Sequence, residues 1–251
     1  MTQKEKHIQS FLQQIQKFKI DVVFKNNKYV FSHGHHQVEF LIADETFDFS
    51  KNYQIPVIPY DYLVVSPNKI ASIILSHLNL NTRIFARKCE VKKISKPSAE
   101  DFLNKTHLMN ATSSGYNLGL FYLDELVCVV SFTKGRKMNR LEAHLRSFEL
   151  IRFCSKSGIT VVGGLSKLLK TFFDEKGAGD IMTYVDKQFS DGKSFIKAGF
   201  KIHSYKSANQ FLIHQKTFQR VLFQNQDYNS KEFYLTQNEG SIKLVYQPKQ
   251  K

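Results

Sequence analysis

Apolar residues Ile8, Phe11, Leu12, Ile15 and Phe18 recur at helical spacing among Gln and Lys, which predicts an amphipathic helix over residues 4–19. The pattern then shortens to strand-like runs. IDVVFKNNKYVF predicts two strands around an Asn26-Asn27 turn, and QVEFLIA predicts a third. Pro56 and Pro59 bracket a loop, and Asn68 is placed to cap a second helix with Ile70, Ile73, Ile74, His77 and Leu78 on one side. RIFARKCEVKKI, residues 83–94, alternates apolar with basic residues and predicts one strand with a buried face and a positive face. Pro97 and Ser98 open a short helix, with Asp101 set to complete a capping box.

From Tyr116 the texture changes. NLGLFYLDELVCVVSFT predicts a hairpin turning at Asp124-Glu125, and a polar, basic loop, KGRKMNRLEAHLR, leads to the strand SFELIRFCS. GITVVGGLSKLLKTFF is a strand-to-helix unit turning at Gly163-Gly164. DIMTYVD is a strand, FSDGKSFIKAGFKIHSY a helix passing into a strand at Gly199, and GSIKLVYQ a last strand. Alternating strands and helices predict an α/β layer arrangement. The expected division is a small α+β domain over 1–95 and an α/β domain over 96–251.

The length of 251 residues and a hydrophobic fraction of 42% permit a sizeable core, and no run approaches the roughly 18 apolar residues of a membrane span. MTQKEKHIQSFLQQ lacks the apolar core of a signal peptide. Cys89, Cys128 and Cys154 are too scattered for a disulfide framework or a zinc site and read as buried free thiols. A cytoplasmic protein is expected. Charge adds a partner: 36 Lys and Arg against 22 Asp and Glu give +14, an excess that attracts polyanions, so nucleic acid, DNA first, is the expected partner.

The candidate chemistry is spread along the second part. Two glycines opening a helix let a ligand approach backbone N–H groups at the positive end of the helix dipole, so Val162, Gly163, Gly164 and Lys167 are the candidate anion or cofactor cradle. Asp186, at a strand end beside Lys187, suits a general base, and Tyr184 lies two residues earlier on the same side of the strand. His107, after a helix, is a third catalytic candidate. Arg152 is the candidate substrate contact; Glu149, three residues away, falls on the opposite face unless a bulge intervenes. Arg83, Arg87, Lys88, Lys92 and Lys93 form one basic segment, and Lys134, Arg136, Lys137, Arg140 and Arg146 another; with Lys187 they are the candidate phosphate contacts. HGHH at 33–36 sits between two predicted strands without zinc-like spacing, so no metal is assigned.

Taken in order, ELIRFCSK, VVGGLSKLLK, TYVD and DGKSFIKAGFK resemble the acetyltransferase-like (GNAT-fold) domain of phage homing-endonuclease-associated proteins and, more distantly, the Mom family of DNA-modification proteins. NLGLFYLDELVCVVSF resembles that domain's first hairpin, FLNKTHL its preceding helix and His, and GSIKLVYQ its terminal strand. The resemblance implies a GNAT-like mixed sheet flanked by helices, with Gly163-Gly164 where ordinary members cradle the CoA pyrophosphate. Those members carry Arg/Gln-x-x-Gly-x-Gly/Ala; this chain has Thr160 at the lead and Leu165 in the last small position. Asp186 falls where the resembling proteins end a strand in Tyr-Ala-Asp. Residues 55–91 are similar to the end of a Vsr-like, restriction-endonuclease-like domain. Asp21 and Glu39 are available to it, but Phe40 and Leu41 follow Glu39 where an x-Lys pair belongs, so a degenerate nuclease domain is expected.

Three functions follow as expectations. The first is a GNAT-like enzyme that modifies a base in DNA. The second is a non-catalytic DNA-binding accessory of a mobile endonuclease, and the third an acyl-CoA-dependent N-acyltransferase on a small amine or protein. The donor is unassigned in the first, and acyl-CoA in the third.

Overall fold

The computed structural model describes residues 1–47, 55–225 and 227–247. Helix α1 (Gln3–Gln16) is followed by strands β1 (Asp21–Lys25), β2 (Lys28–His33), β3 (His36–Ala43) and β4 (Val57–Pro59), then helices α2 (Tyr60–Val65) and α3 (Pro67–His77). Strands β5 (Thr82–Phe85) and β6 (Glu90–Lys93) precede α4 (Lys96–Thr106), β7 (Tyr116–Tyr122), β8 (Glu125–Phe132), β9 (Ser147–Ser155) and β10 (Ile159–Val162). Helix α5 (Gly164–Lys176), β11 (Asp180–Asp186), α6 (Lys193–Lys197) and β12 (Lys201–Lys206) come next. The chain ends in β13 (Gln210–His214), β14 (Arg220–Leu222), β15 (Phe233–Gln237) and β16 (Ser241–Tyr246).

These elements gather into two compact units. The first comprises Met1–Leu80, Asp186–Ser190 and Ser207–Ser241; the second comprises Asn81–Val185, Asp191–Lys206 and the chain from Ile242. The sequence suggested one cut at 95/96. Instead β5 and β6 hydrogen-bond into the second unit's sheets, with β10 and β7 respectively, while β13–β15 cluster with the N-terminal elements.

In the first unit, β1, β2 and β3 pair antiparallel and β4 adds to β3 in parallel. The first hairpin turns at Asn26 and Asn27, whose φ of 52° and 60° is the left-handed pair a tight two-residue turn demands. Thr2 and Glu5 close a capping box on α1, whose Phe11 and Ile15 are buried. Strand β13 lies between β14 and β15 in a separate sheet. Arg220 on β14 donates to both carboxylate oxygens of the buried Asp61 on α2, at 2.8 and 2.7 Å.

In the second unit a seven-stranded sheet runs β12-β16-β11-β9-β8-β7-β6, and β5 and β10 form a separate parallel pair. From β6 to β9 neighbours are antiparallel; β9 and β11 are parallel, joined by α5. Such a step needs a crossover, and α5 supplies it with Leu165, Leu168, Leu169 and Phe172 buried. Phe172 stacks on Phe132 of β8 at a centroid separation of 3.7 Å. This is a mixed α/β fold with its sheet flanked by helices, as the sequence predicts.

Several local expectations are corrected. Residues 83–94 are not one strand: a 3-10 turn at Ala86–Lys88 divides β5 from β6 because the two halves pair with different sheets. The N-cap of α4 is Ser95, which accepts from the Ser98 N–H, and Asp101 instead pairs with Lys105. Helix α3 starts at Pro67 with Ser66 at its cap and no side-chain acceptor there, so Asn68 is not the cap. Val57–Pro59 is a strand rather than a loop. The second hairpin turns at Leu123-Asp124, both at positive φ, one residue before the expected pair.

Candidate functional site

The parallel strands β9 and β11 are in register from Ser147↔Asp180 to Leu150↔Thr183. Beyond that point, among the described residues, Ile151–Ser155 and Tyr184–Val185 no longer pair with each other. Two features mark the point where the strands part. The β8–β9 register jumps from Ser131↔Arg152 to Phe132↔Leu150, leaving Ile151 as an extra residue that bends β9. The buried Thr183 hydroxyl donates to the Leu150 carbonyl at 2.9 Å, satisfying by a side chain an acceptor at the point where the pairing ends. Crevices at the carboxyl ends of neighbouring parallel strands are where α/β sheets accept ligands.

Helix α5 starts at Gly163, whose φ of 78° is open to glycine at little cost. A Cβ there would meet only the Ala86 methyl at 3.8 Å, so the turn is open. Gly164 is different: its Cβ would press on Leu120 and Val161 at 3.2 Å, so this glycine lets the helix start pack closely on the sheet. No side chain caps α5 and no acid occupies its first turn. The leading N–H groups and the positive dipole end are therefore available to an anion. The half-buried Val162 ends the strand that delivers them. Lys167 is engaged elsewhere, its ammonium donating to the Ala86 and Cys89 carbonyls at 3.0 and 2.5 Å. It fastens the 3-10 turn to α5.

Other predicted site residues are dispersed. Arg152 donates to the carbonyls of Asn110, Ile151 and Met109, tying the chain after α4 onto β9. The bulge removes the constraint that put Glu149 and Arg152 on opposite faces, and Glu149 lies 3.5 Å from Arg136. His107 ends α4, and its Nδ1 accepts from the Met109 N–H at 3.1 Å. Tyr184 follows the last paired residue of β11 and is 41% exposed. Asp186 closes β11 and clusters with the first unit. Its carboxylate accepts from the Gln188 N–H at 2.9 Å and from Asn238 Nδ2 at 3.3 Å. Burial raises its pKa above the ordinary carboxylate value, against the opposing effect of those two bonds and the Arg220 charge. The nearby Glu239 carboxyl is also raised by burial.

The basic candidates divide by partner. Lys92 pairs with Glu90, Lys93 with Glu175 and Arg140 with the fully buried Asp180, while Arg146 donates to the Ala143 and Leu145 carbonyls. Arg83, Arg87, Lys88, Lys134, Lys137 and Lys187 are exposed, with no ion pair among the described residues. Cys89 and Cys128 are buried and Cys154 half-buried, none of them in a disulfide among the described residues.

Sequence reasoning missed the Ile151 bulge, Thr183 and the Asn238 contact. The three-residue spacing of Glu149 and Arg152 was the one available hint of the bulge.

No family model and no curated protein matches the chain. Solved structures do. The Bacillus subtilis acetyltransferase in complex with CoA is similar at 14% identity and a TM-score of 0.41, covering 64% of this chain and 99% of that one. The Escherichia coli ribosomal-protein-S18-alanine N-acetyltransferase is similar at 10% identity and 0.41, covering 63% and 93%. A GNAT family acetyltransferase from Elizabethkingia anophelis with acetyl-CoA bound is similar at 12% identity and 0.37, covering 64% and 99%. The fold assignment rests on the sheet itself: an antiparallel run from β6 to β9, a parallel step to β11 across α5, and β16 between β11 and β12. That is a GNAT-like sheet. Among the described residues no helix is long and apolar enough to cross a membrane.

Proposed function

We infer that the second unit is an acyl-CoA-dependent N-acyltransferase, the third of the functions expected from sequence. The observation that carries this reading is the fork between β9 and β11, with the uncapped glycine start of α5 on the crossover that joins the two strands. When bound, an acyl-CoA supplies an activated thioester acyl group for transfer to an amine. The N–H groups at the start of α5 would hold its pyrophosphate; Gly163 allows the close approach that a side chain would obstruct. The bulge at Ile151 interrupts the β8–β9 ladder beside the fork, where the donor's amide arm would lie. Tyr184, exposed just beyond the fork, is the residue we assign to supply the proton that a departing thiolate would need.

The narrower reading, modification of a nucleic-acid base by a Mom-like enzyme of a phage or mobile element, concerns the acceptor and is favoured by the charge of +14. A degenerate nuclease origin for the N-terminal part stays a proposal beside it; Glu39 there pairs with Lys28 at 3.1 Å.

Thermal denaturation with and without acetyl-CoA tests the donor. At a hundredfold excess over Kd, binding stabilises the folded chain by about 2.7 kcal/mol and raises the midpoint accordingly. An unchanged midpoint at millimolar acetyl-CoA overturns the reading.

A further inference from the structure

The exposed face of β5 borders the start of α5, with Phe85 in register with Val162, but Arg83, Phe85, Arg87 and Lys88 have no role in holding the donor. Ile84 is buried, so its neighbours Arg83 and Phe85 point the opposite way, onto one exposed face of a strand whose described pairing is with β10 alone. Phe85 is 45% exposed, a large apolar ring left in water. Arg87, on the 3-10 turn, places its guanidinium 5.1 Å from that ring's centroid, within cation–π range. Lys88 follows it, also exposed. Among the described residues none of these three cations has a carboxylate partner, whereas Lys92, Lys93, Arg136 and Arg140 all do. Arg83 on the same strand face and Arg87 against the ring thus border one exposed aromatic, and Lys88 is next in the chain. On the outer face of β10, Thr160 and Val162, opposite Arg83 and Phe85, carry no charge that would oppose an anion.

We propose that Arg83, Phe85, Arg87 and Lys88 form a docking surface for single-stranded nucleic acid. A base stacks on the Phe85 ring while phosphates lie against the cations on either side. An exposed aromatic between free cations is what a sequence-tolerant single-strand platform consists of. A stacked duplex offers no free base face to such a ring unless a base is first unstacked. The overall charge of +14 draws a polyanion towards the protein, and this surface gives one of its bases a seat. The proposal stands independently of acyl transfer: losing either leaves the other intact.

The test is fluorescence anisotropy of a labelled oligothymidine of about 16 nucleotides with the full chain across a salt series. Phe85→Ala weakens binding about tenfold or more while keeping the salt slope. Arg83→Gln with Arg87→Gln weakens binding and reduces the slope of log K on log salt by about 1.4. Lys6→Gln with Lys17→Gln, an equal charge change at exposed positions in α1 and at its C-cap, leaves the slope within error of the wild type. The chain has no Trp, so Phe85→Trp makes a single-tryptophan reporter that the oligonucleotide quenches. Equal affinities for Phe85→Ala and wild type overturn the proposal, as does an equal loss in the α1 control. So does quenching of the Phe85→Trp reporter by acetyl-CoA in competition with the oligonucleotide, which would assign the ring to the donor.

Discussion

Asp180 has no exposed surface, so its charge depends on what the chain brings to it. Arg140 brings two donors to one carboxylate oxygen, at 2.9 and 2.6 Å, and donates to Ser147 as well; among the described residues the other carboxylate oxygen has no hydrogen-bond partner. Removing one partner of a buried ion pair strands the other charge, so Arg140→Ala should destabilise the protein by about 3–5 kcal/mol in urea denaturation, toward the low end because Arg140 is partly exposed. A loss under 1 kcal/mol would contradict the assigned role. Arg140→Ala is thus a probe of folding. Asp186 shows the opposite balance. Its folded pKa is raised, so the folded state gains protons relative to the unfolded chain, and the stability difference it controls is complete below the unfolded pKa and lost as pH rises through the folded value. Asp186→Asn carries no such titration. Its stability relative to the wild type should therefore fall as pH is lowered from about 7 to about 4, in paired urea titrations. A pH-independent difference would show that the carboxyl is not perturbed.

Elements show where sequence patterns suffice and where they do not. Hairpins at Asn26-Asn27 and near Asp124 were legible because positive φ restricts the residue types that turn there. The glycine start of α5 was legible for the same reason. The break between β5 and β6 was not read, yet it left a trace. Ile84 and Ala86 are buried at even positions and Cys89 at an odd one, and a slip of phase within an alternating run marks a change of partner. The bulge at Ile151 depends on β8, distant in sequence, and a local window does not contain that information. The contacts of Lys167 and Arg152 are not legible in sequence because their partners are backbone carbonyls, which every residue owns. Ser166 is exposed in the first turn of α5. A carboxylate there favours the helix dipole by about 0.3–1 kcal/mol, so Ser166→Glu should not lower the thermal midpoint.

At the scale of the whole molecule, two units share a chain that passes between them several times, so the single domain cut suggested by composition and texture does not describe the clustering. Sequence carried the α/β class, the order of most elements and the helix start at the centre of the proposed function. Spatial convergence was beyond it, since only the sheet register shows which strands part. The central claim is that the uncapped start of α5, beside the fork of β9 and β11, holds the pyrophosphate of an acyl donor. Titration calorimetry of acetyl-CoA into the wild type and into Ser166→Glu tests it most directly. The account predicts saturable binding by the wild type and at least a tenfold loss in a variant that remains folded; no binding by the wild type, or equal binding by both, would contradict it.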